Sequence, residues 1–467
     1  MLDNWNIRCN FVAEKQMITI MIEREALKHL RTWRKSENRR PLIMRGARQV
    51  GKTTIASEFA KEFDHFLHLN LEQPDDRSLF ENDLRLEDKV GLMFARKGIP
   101  RHDGSTLLFI DEIQQSPQAV ASLRYLYEMM PDQCVIAAGS LLENLVDVKA
   151  TFPVGRVDYL PVRPCSFTEF LHALNRAPEL LAADRPELTV PFHADYMSLF
   201  NQYCIVGGLP EVVQHYATHR DLLSIDSICS RLMRAYLDDV EKYCRRSKLA
   251  AVVRHIIEYG WSEAGSIIKL GGFAGSAYQA REVREAFHLL QKAMLLELVF
   301  PSTSPQLPSI PDLKRMPKLF WFDTGLLNYA AMVRSALIGA SDIMDVWRGR
   351  IGEHVVAQEL LATTTDINRH RAFWTRGRGE NGAEVDLTWV IDSKLIPIEV
   401  KTGHNAHLKS LHSFMDLSPL DLAVRVWSGP FSVDHLTTSL HKKPFKLINL
   451  PFYLVWDIER IVRRELS

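Results

Sequence analysis

The chain has 467 residues, 46% hydrophobic and 24% charged, the balance of globular domains that bury proper cores and length enough for about three of them. Those figures exclude low-complexity disorder, a collagen-like repeat and a disulfide-stapled miniprotein. With 57 basic against 57 acidic residues, no global field draws the chain to nucleic acid or anionic membrane, so any nucleic-acid surface must be a local patch.

Six cysteines (Cys9, Cys134, Cys165, Cys204, Cys229, Cys244) form no C-x-x-C pair, which predicts reduced thiols and a cytoplasmic location. Met1 to Lys15 lacks the apolar centre of a signal peptide. No run reaches the ~18 uncharged apolar residues of a spanning helix, so no membrane partner is expected.

Along the chain, the first half alternates strands and helices. Strand candidates are Pro41–Met44, Phe66–Leu71, Thr106–Ile110 and Cys134–Ala138. Helix-period stretches (Lys52–Phe63, Leu86–Arg96, Pro117–Met130) lie between them, the pattern of a doubly wound parallel sheet. That block closes near Val157 to Val162 with a helix from Ser166 to Leu174. The middle is helical. Leu249–Tyr259, a Gly-rich break, a helix Gln279–Met294 and the strand-like Leu295–Phe300 give the outline of a winged helix-turn-helix. Pro301 to Pro317 is the clearest loop. Beyond it lie a helix at Gly352–Ala362, paired strands Ala383–Ile391 and Leu395–Lys401, a helix His407–Met415 and a strand Leu420–Trp427.

Gly46-Ala47-Arg48-Gln49-Val50-Gly51-Lys52-Thr53 fits G-x-x-x-x-G-K-[ST] at every fixed position, after a strand and opening a helix. Such a loop turns backbone N–H groups around a β-phosphate at a helix N-terminus. Lys52 then reaches the β- and γ-phosphates of ATP and the Thr53 hydroxyl ligates Mg²⁺, with Thr54 beside it. Asp111 and Glu112 end the strand Leu107–Ile110; Asp111 is the expected partner in the Mg²⁺ shell and Glu112 the general base. Ser140, after the next strand, is a candidate to orient the water or sense the γ-phosphate, or else a plain turn hydroxyl. Arg156 is a candidate for charge stabilisation across a subunit interface, or a solvated arginine. Arg45 and Arg48 flank the loop in either a phosphate-binding or a structural role.

A second constellation lies in the last third. Asp386 on one strand and Glu399 and Lys401 on the next have the spacing D-x₁₂-E-x-K. Glu399 and Lys401, two apart, share a strand face. Two such carboxylates can share a divalent metal while the lysine stabilises phosphate charge, and Glu353 on the preceding helix adds a third ligand candidate. A charged strand surface or a degenerate site is the alternative. Arg281, Arg284 and Lys292, with Tyr278, suit a helix that reads DNA or a solvated helix face.

Together these residues resemble the bacterial and archaeal AAA+ ATPase family that carries a C-terminal domain of unknown function. The likeness rests on Gly46 to Thr54, Phe109-Ile110-Asp111-Glu112, Ala138-Gly139-Ser140, Gly155-Arg156 and Pro164 to Phe170. It continues through Val206-Gly207-Gly208-Leu209-Pro210-Glu211, Phe322-Asp323-Thr324-Gly325-Leu326 and Ile398-Glu399-Val400-Lys401. The resemblance implies an α/β P-loop AAA+ core at 21–175, a helical connector at 176–245 and a winged-helix-like domain at 246–335. It also implies a C-terminal restriction-endonuclease-like PD-(D/E)XK fold at 336–467. Residues 1–20 are an extension, with Met17 or Met21 as an alternative start. The expected function is Mg²⁺-dependent ATP hydrolysis acting on DNA, in a homo-oligomer by analogy with the fold. The alternative is an ATP-switched DNA-binding or assembly protein that does not cut.

Overall fold

The computed structural model describes residues 22–101, 104–139, 153, 155–176, 185–244, 247–338, 350–377, 382–401 and 408–466. Five short runs make the first sheet: β1 (Leu42–Arg45), β2 (His65–Asn70), β3 (Thr106–Asp111), β4 (Cys134–Gly139) and β5 (Asp158–Pro161). All pair in parallel, in the order β2-β3-β4-β1-β5. The continuous apolar runs are what a sheet covered on both faces requires. Leu107, Phe109 and Ile136 pack on one side with Ile55 and Phe59. Leu108, Ile110 and Val135 pack on the other with Val120 and Leu123.

The middle follows with helices His193–Val206, Pro210–His219 and Ile225–Tyr243, then Ser247–Tyr259 and Ala280–Lys292. An antiparallel pair, β6 (Leu296–Val299) and β8 (Lys318–Trp321), comes after them. The stretch expected as a loop or linker, Pro301 to Pro317, opens on a short strand. Its first two residues form β7 (Pro301–Ser302), which pairs in parallel with Phe373 and Trp374 of the C-terminal sheet.

That sheet comprises β9 (Ala372–Thr375), β10 (Glu384–Ile391), β11 (Lys394–Lys401), β12 (Leu422–Trp427), β13 (Ser432–Thr437) and β14 (Pro444–Pro451). With β7 its order is β13-β14-β12-β11-β10-β9-β7. Strands β10 and β11 form the expected hairpin, turned by Asp392 (φ 45) and Ser393 (φ 59), both left-handed as a two-residue hairpin requires. The five described cysteines are buried free thiols, and among the described residues no helix is long and apolar enough to cross a membrane.

One apolar core runs from Leu30 to Val462 through all three parts. The helix Arg350–Ala362 crosses it with an unusual set of buried polar side chains. His354 Nε2 accepts from the Trp321 amide at 3.0 Å, leaving Nδ1–H to donate to Thr324 Oγ1 at 2.9 Å. Burial, then the charge of Arg371, pushes its pKa down to about 3, so the ring stays neutral. Gln358 Oε1 accepts from the Thr324 amide at 2.8 Å. Glu359 accepts from the Phe167 amide at 3.1 Å and from the Tyr203 hydroxyl at 2.6 Å.

The loops around Gly207 and Gly325 meet in the same region. A Cβ on Gly325 would fall 2.2 Å from the Val206 carbonyl oxygen. Asp323 Oδ2 accepts from the Gly208 amide at 2.6 Å, while Oδ1 caps its own helix through the Leu326 amide at 2.8 Å.

Burial raises the Glu359 carboxyl to about 7. A carboxyl whose pKa is raised on folding favours the folded state fully below its unfolded value, and this advantage is lost as pH rises through the folded value. Stability should therefore fall between pH 4.5 and about 7 by roughly 3 kcal/mol on this account. Glu359→Gln should flatten that fall. Urea midpoints at pH 5 and pH 8 check it, and an unchanged pH slope would remove Glu359 as the cause.

Candidate functional site

The phosphate loop starts where β1 ends. Gly46 has no room for a side chain, since a Cβ would sit 2.2 Å from the Val162 carbonyl oxygen. Gln49 (φ 63) and Gly51 (φ 94) adopt left-handed conformations that curl the loop into the helix Lys52–Ala60. Lys52 is 7% exposed; its Nζ donates to the Gly46 and Ala47 carbonyls at 2.9 and 2.8 Å. Burial lowers its pKa to about 8.

Thr53 Oγ1 donates to Asp111 Oδ2 at 2.7 Å, and the Glu112 amide donates to Asp111 Oδ1 at 3.0 Å. Burial works to raise the Asp111 carboxyl, but His68, Thr53 and the Glu112 amide outweigh it and hold the pKa below the usual range. Glu112 goes the other way: burial first, and Asp111 beside it, push its carboxyl up. Its backbone is left-handed (φ 51) and its side chain is held by Gln114. This hydroxyl–carboxylate pair suits the hard, oxygen-seeking Mg²⁺.

A cavity of about 580 Å³ opens beside the loop, lined by Lys52, Thr53, Thr54, Glu112, Tyr236 and Asp239 among others. Several of its walls escaped the sequence reading. The helix Ile225–Tyr243 covers the loop. Asp239 lies 2.9 Å from Arg48 Nη1, and the Tyr236 hydroxyl donates to the Arg48 carbonyl at 3.0 Å. Arg48 also meets Glu72 at 3.4 Å. Arg24 donates Nη1 to the Val50 carbonyl at 2.9 Å and Nε to Glu169 at 3.0 Å, both groups buried. Glu169 closes a capping box with Ser166 at the start of the helix Phe167–Ala173. No sequence motif announces these partners, since they lie up to 191 residues away. His68 of β2, 3.8 Å from Asp111 Oδ2, also went unforeseen.

Arg156 does not line this cavity. Its Nε lies 2.6 Å from Glu128, at the protein surface. Ser140 follows β4 and lies outside the described residues. Arg45, the last residue of β1, borders a different cavity.

In the C-terminal hairpin, Leu387 stands opposite Ile398, which brings Asp386 and Glu399 together. Asp386 Oδ2 accepts from the Val400 amide at 2.8 Å. Lys401 Nζ lies 2.7 Å from Glu399 and 3.9 Å from Asp386. Glu399 Oε2 is buried with no hydrogen-bond partner among the described residues. Burial, then the charge of Asp386, pushes the Glu399 and Glu353 carboxyls up.

Glu353, the third ligand candidate, has a cation beside it. Lys318, at the start of β8 and only 3% exposed, sends its ammonium to within 3.1 Å of Glu353 and 2.7 Å of Glu384. Among the described residues, no group of three or more His, Cys, Asp or Glu side chains is placed to hold a metal ion. The orphaned Glu399 oxygen beside Asp386 suits a cation, but Glu353 is already engaged. The Lys318 contact has no signature in its neighbourhood, where Pro317 and Leu319 give only a strand.

Comparison with known proteins finds three matched regions in the chain. Residues 38–171 match the family described as an AAA domain, residues 197–337 the domain of unknown function DUF8612, and residues 348–432 the domain of unknown function DUF4143. No curated protein matches. Among solved structures, a Walker-type ATPase of Pyrococcus abyssi is similar at 14% identity, covering 67% of this chain and 96% of its own, with a TM-score of 0.40. The Aeropyrum pernix Orc1 protein in complex with DNA aligns at 11% identity over 68% of this chain and 95% of its own, with a TM-score of 0.28. A RuvB variant of Thermotoga maritima aligns at 17% identity over 63% and 93%, also with a TM-score of 0.28. The stretch that matches the AAA domain holds the phosphate loop, Thr53, Asp111 and Glu112.

Removing the Lys318 ammonium leaves Glu353 and Glu384 facing each other without their cation. Lys318→Met should lower the unfolding free energy by about 3 kcal/mol. Urea denaturation at neutral pH measures it, and an unaltered midpoint would mean that the ammonium is not holding the two carboxylates.

Proposed function

We propose that the chain hydrolyses ATP with Mg²⁺ at the phosphate loop and uses the cycle to act on DNA through its middle and C-terminal parts. The observation that carries the ATPase reading is the 2.7 Å contact from Thr53 Oγ1 to Asp111 Oδ2, beside the buried Lys52. In this reading the backbone N–H groups of Gly46 to Thr54 cradle the phosphates. The Lys52 ammonium turns from its two loop carbonyls to the β- and γ-phosphate oxygens. Thr53 and Asp111 hold Mg²⁺, which when bound neutralises charge on those oxygens. Glu112, with its raised carboxyl pKa, takes the proton from the water that attacks the γ-phosphorus. Ser140 orients that water. Arg156 exchanges Glu128 for the γ-phosphate of a neighbouring copy in a homo-oligomer.

The DNA reading is supported by the helix Ala280–Lys292, on which Arg281 and Arg284 are exposed, and by Lys401 beside two strand carboxylates. A second reading, an ATP-driven switch that does not cut DNA, is favoured by the Lys318 ammonium at Glu353 and Glu384. The domain division is the one read from sequence: 21–175, 176–245, 246–335 and 336–467.

Lys52→Ala should lower ATP turnover by roughly 10²-fold or more, measured by phosphate release; undiminished turnover would place hydrolysis elsewhere. Plasmid cleavage with Mg²⁺ or Mn²⁺, with and without ATP, separates the two DNA readings. Cleavage by the wild type that is lost in Lys401→Ala identifies a nuclease, and intact plasmid throughout identifies the switch.

A further inference from the structure

A cavity of about 230 Å³ lies where the three parts of the chain meet, behind the phosphate loop at Ala47 and Val50. Four arginines line it, Arg45, Arg163, Arg369 and Arg371, against a single carboxylate, Glu297. Arg371 is matched: Nε and Nη2 lie 3.1 and 2.5 Å from Glu297 Oε2, and Nη1 donates to the Ala357 carbonyl at 2.7 Å. Arg369 is matched outside the cavity by Glu459 at 2.8 Å and lies over the Trp389 ring at 4.4 Å.

Arg163 is different. Its Nε is shut off from solvent and has no hydrogen-bond partner among the described residues. Burial, then the Arg371 guanidinium, lowers its pKa to about 10, with Glu297 offsetting only part of that. A guanidinium desolvated beside a second one is unfavourable unless an anion lies between them. Its backbone, by contrast, is anchored, the Arg163 carbonyl accepting from Arg24 Nη2 at 2.6 Å. The Arg163 Nε is therefore left for a partner that the described residues do not supply.

We propose that this cavity binds a small phosphorylated anion, with the Arg163 fork on the phosphoryl oxygens and Arg371 behind it. Planar guanidinium forks match phosphate bidentately, and a dianion answers the surplus charge better than a single carboxylate. The volume suits a phosphate or diphosphate group and not a nucleic-acid duplex, whose major groove alone is about 12 Å wide. Because Arg24 joins the Arg163 carbonyl to the Val50 carbonyl of the phosphate loop, the bound anion sits one residue from the nucleotide site's own scaffold. Filling the cavity ties that scaffold to β6 and to the C-terminal sheet, which makes the site a sensor of phosphorylated small molecules.

Isothermal titration of the full chain carrying Lys52→Ala, which silences the phosphate loop, tests the idea with inorganic pyrophosphate as probe. Pyrophosphate should bind, and Arg163→Gln should weaken it at least tenfold, with Arg163→Lys falling between. Unliganded Arg163→Gln should melt no lower than its parent, since the guanidinium removed has an Nε with no hydrogen-bond partner among the described residues. Tighter binding of ADP than of pyrophosphate, equally sensitive to Arg163, would name a nucleotide as the source of the phosphate; equal binding would name the free anion. No binding, or binding indifferent to Arg163→Gln, overturns the proposal. So does malonate binding as tightly as pyrophosphate, or a single-stranded oligonucleotide being the sole Arg163-dependent ligand.

Discussion

Glu359 reaches from a helix of the C-terminal third to the Phe167 amide and the Tyr203 hydroxyl, and that contact is dry. A buried carboxyl is tolerated only where donors surround it, so the position of one helix fixes those of two others. Phe167 opens the helix whose Glu169 holds Arg24, and Arg24 holds the phosphate loop at Val50. Glu353 lies six positions earlier on the same helix as Glu359. The nucleotide site and the C-terminal carboxylates thus share one scaffold of buried polar contacts across a single apolar core.

The parts governed by local rules were open to reading from the sequence. Continuous runs such as Leu107–Ile110 gave the parallel sheet because a strand buried on both faces tolerates no alternation. The phosphate loop was plain because Gly46, Gly51 and Lys52 answer local steric and chemical needs at fixed spacing. The β10–β11 hairpin and its two-residue turn followed from strand periodicity in the same way, and with them the approach of Asp386 to Glu399.

What the sequence did not disclose is held by contacts between residues far apart. Arg24, Asp239 and Tyr236 around the phosphate loop carry no local signal, and neither does Lys318 beneath Glu353. Short-range patterns report the conformation of a segment, whereas these side chains report which segments are neighbours. The quoted stretches around Gly207 and Gly325 are an instructive intermediate. They stand more than a hundred residues apart in the sequence, yet they press against each other, and Gly325 is small because the Val206 carbonyl occupies the space. The cation beside Glu353 is hidden for a related reason: Lys318 arrives from another part of the chain.

Lys318 belongs to the stretch matched at residues 197–337, and its two carboxylate partners belong to the region that begins at residue 348. Neighbouring regions joined only by a tether can be traded between genes as independent cassettes. These two cannot. Recombination across their boundary would leave a buried ammonium without its acids, or half-buried acids without their ammonium. The pair therefore marks the stretch of chain that must be inherited together, and it makes a crossover inside that stretch a poor starting point for chimeras.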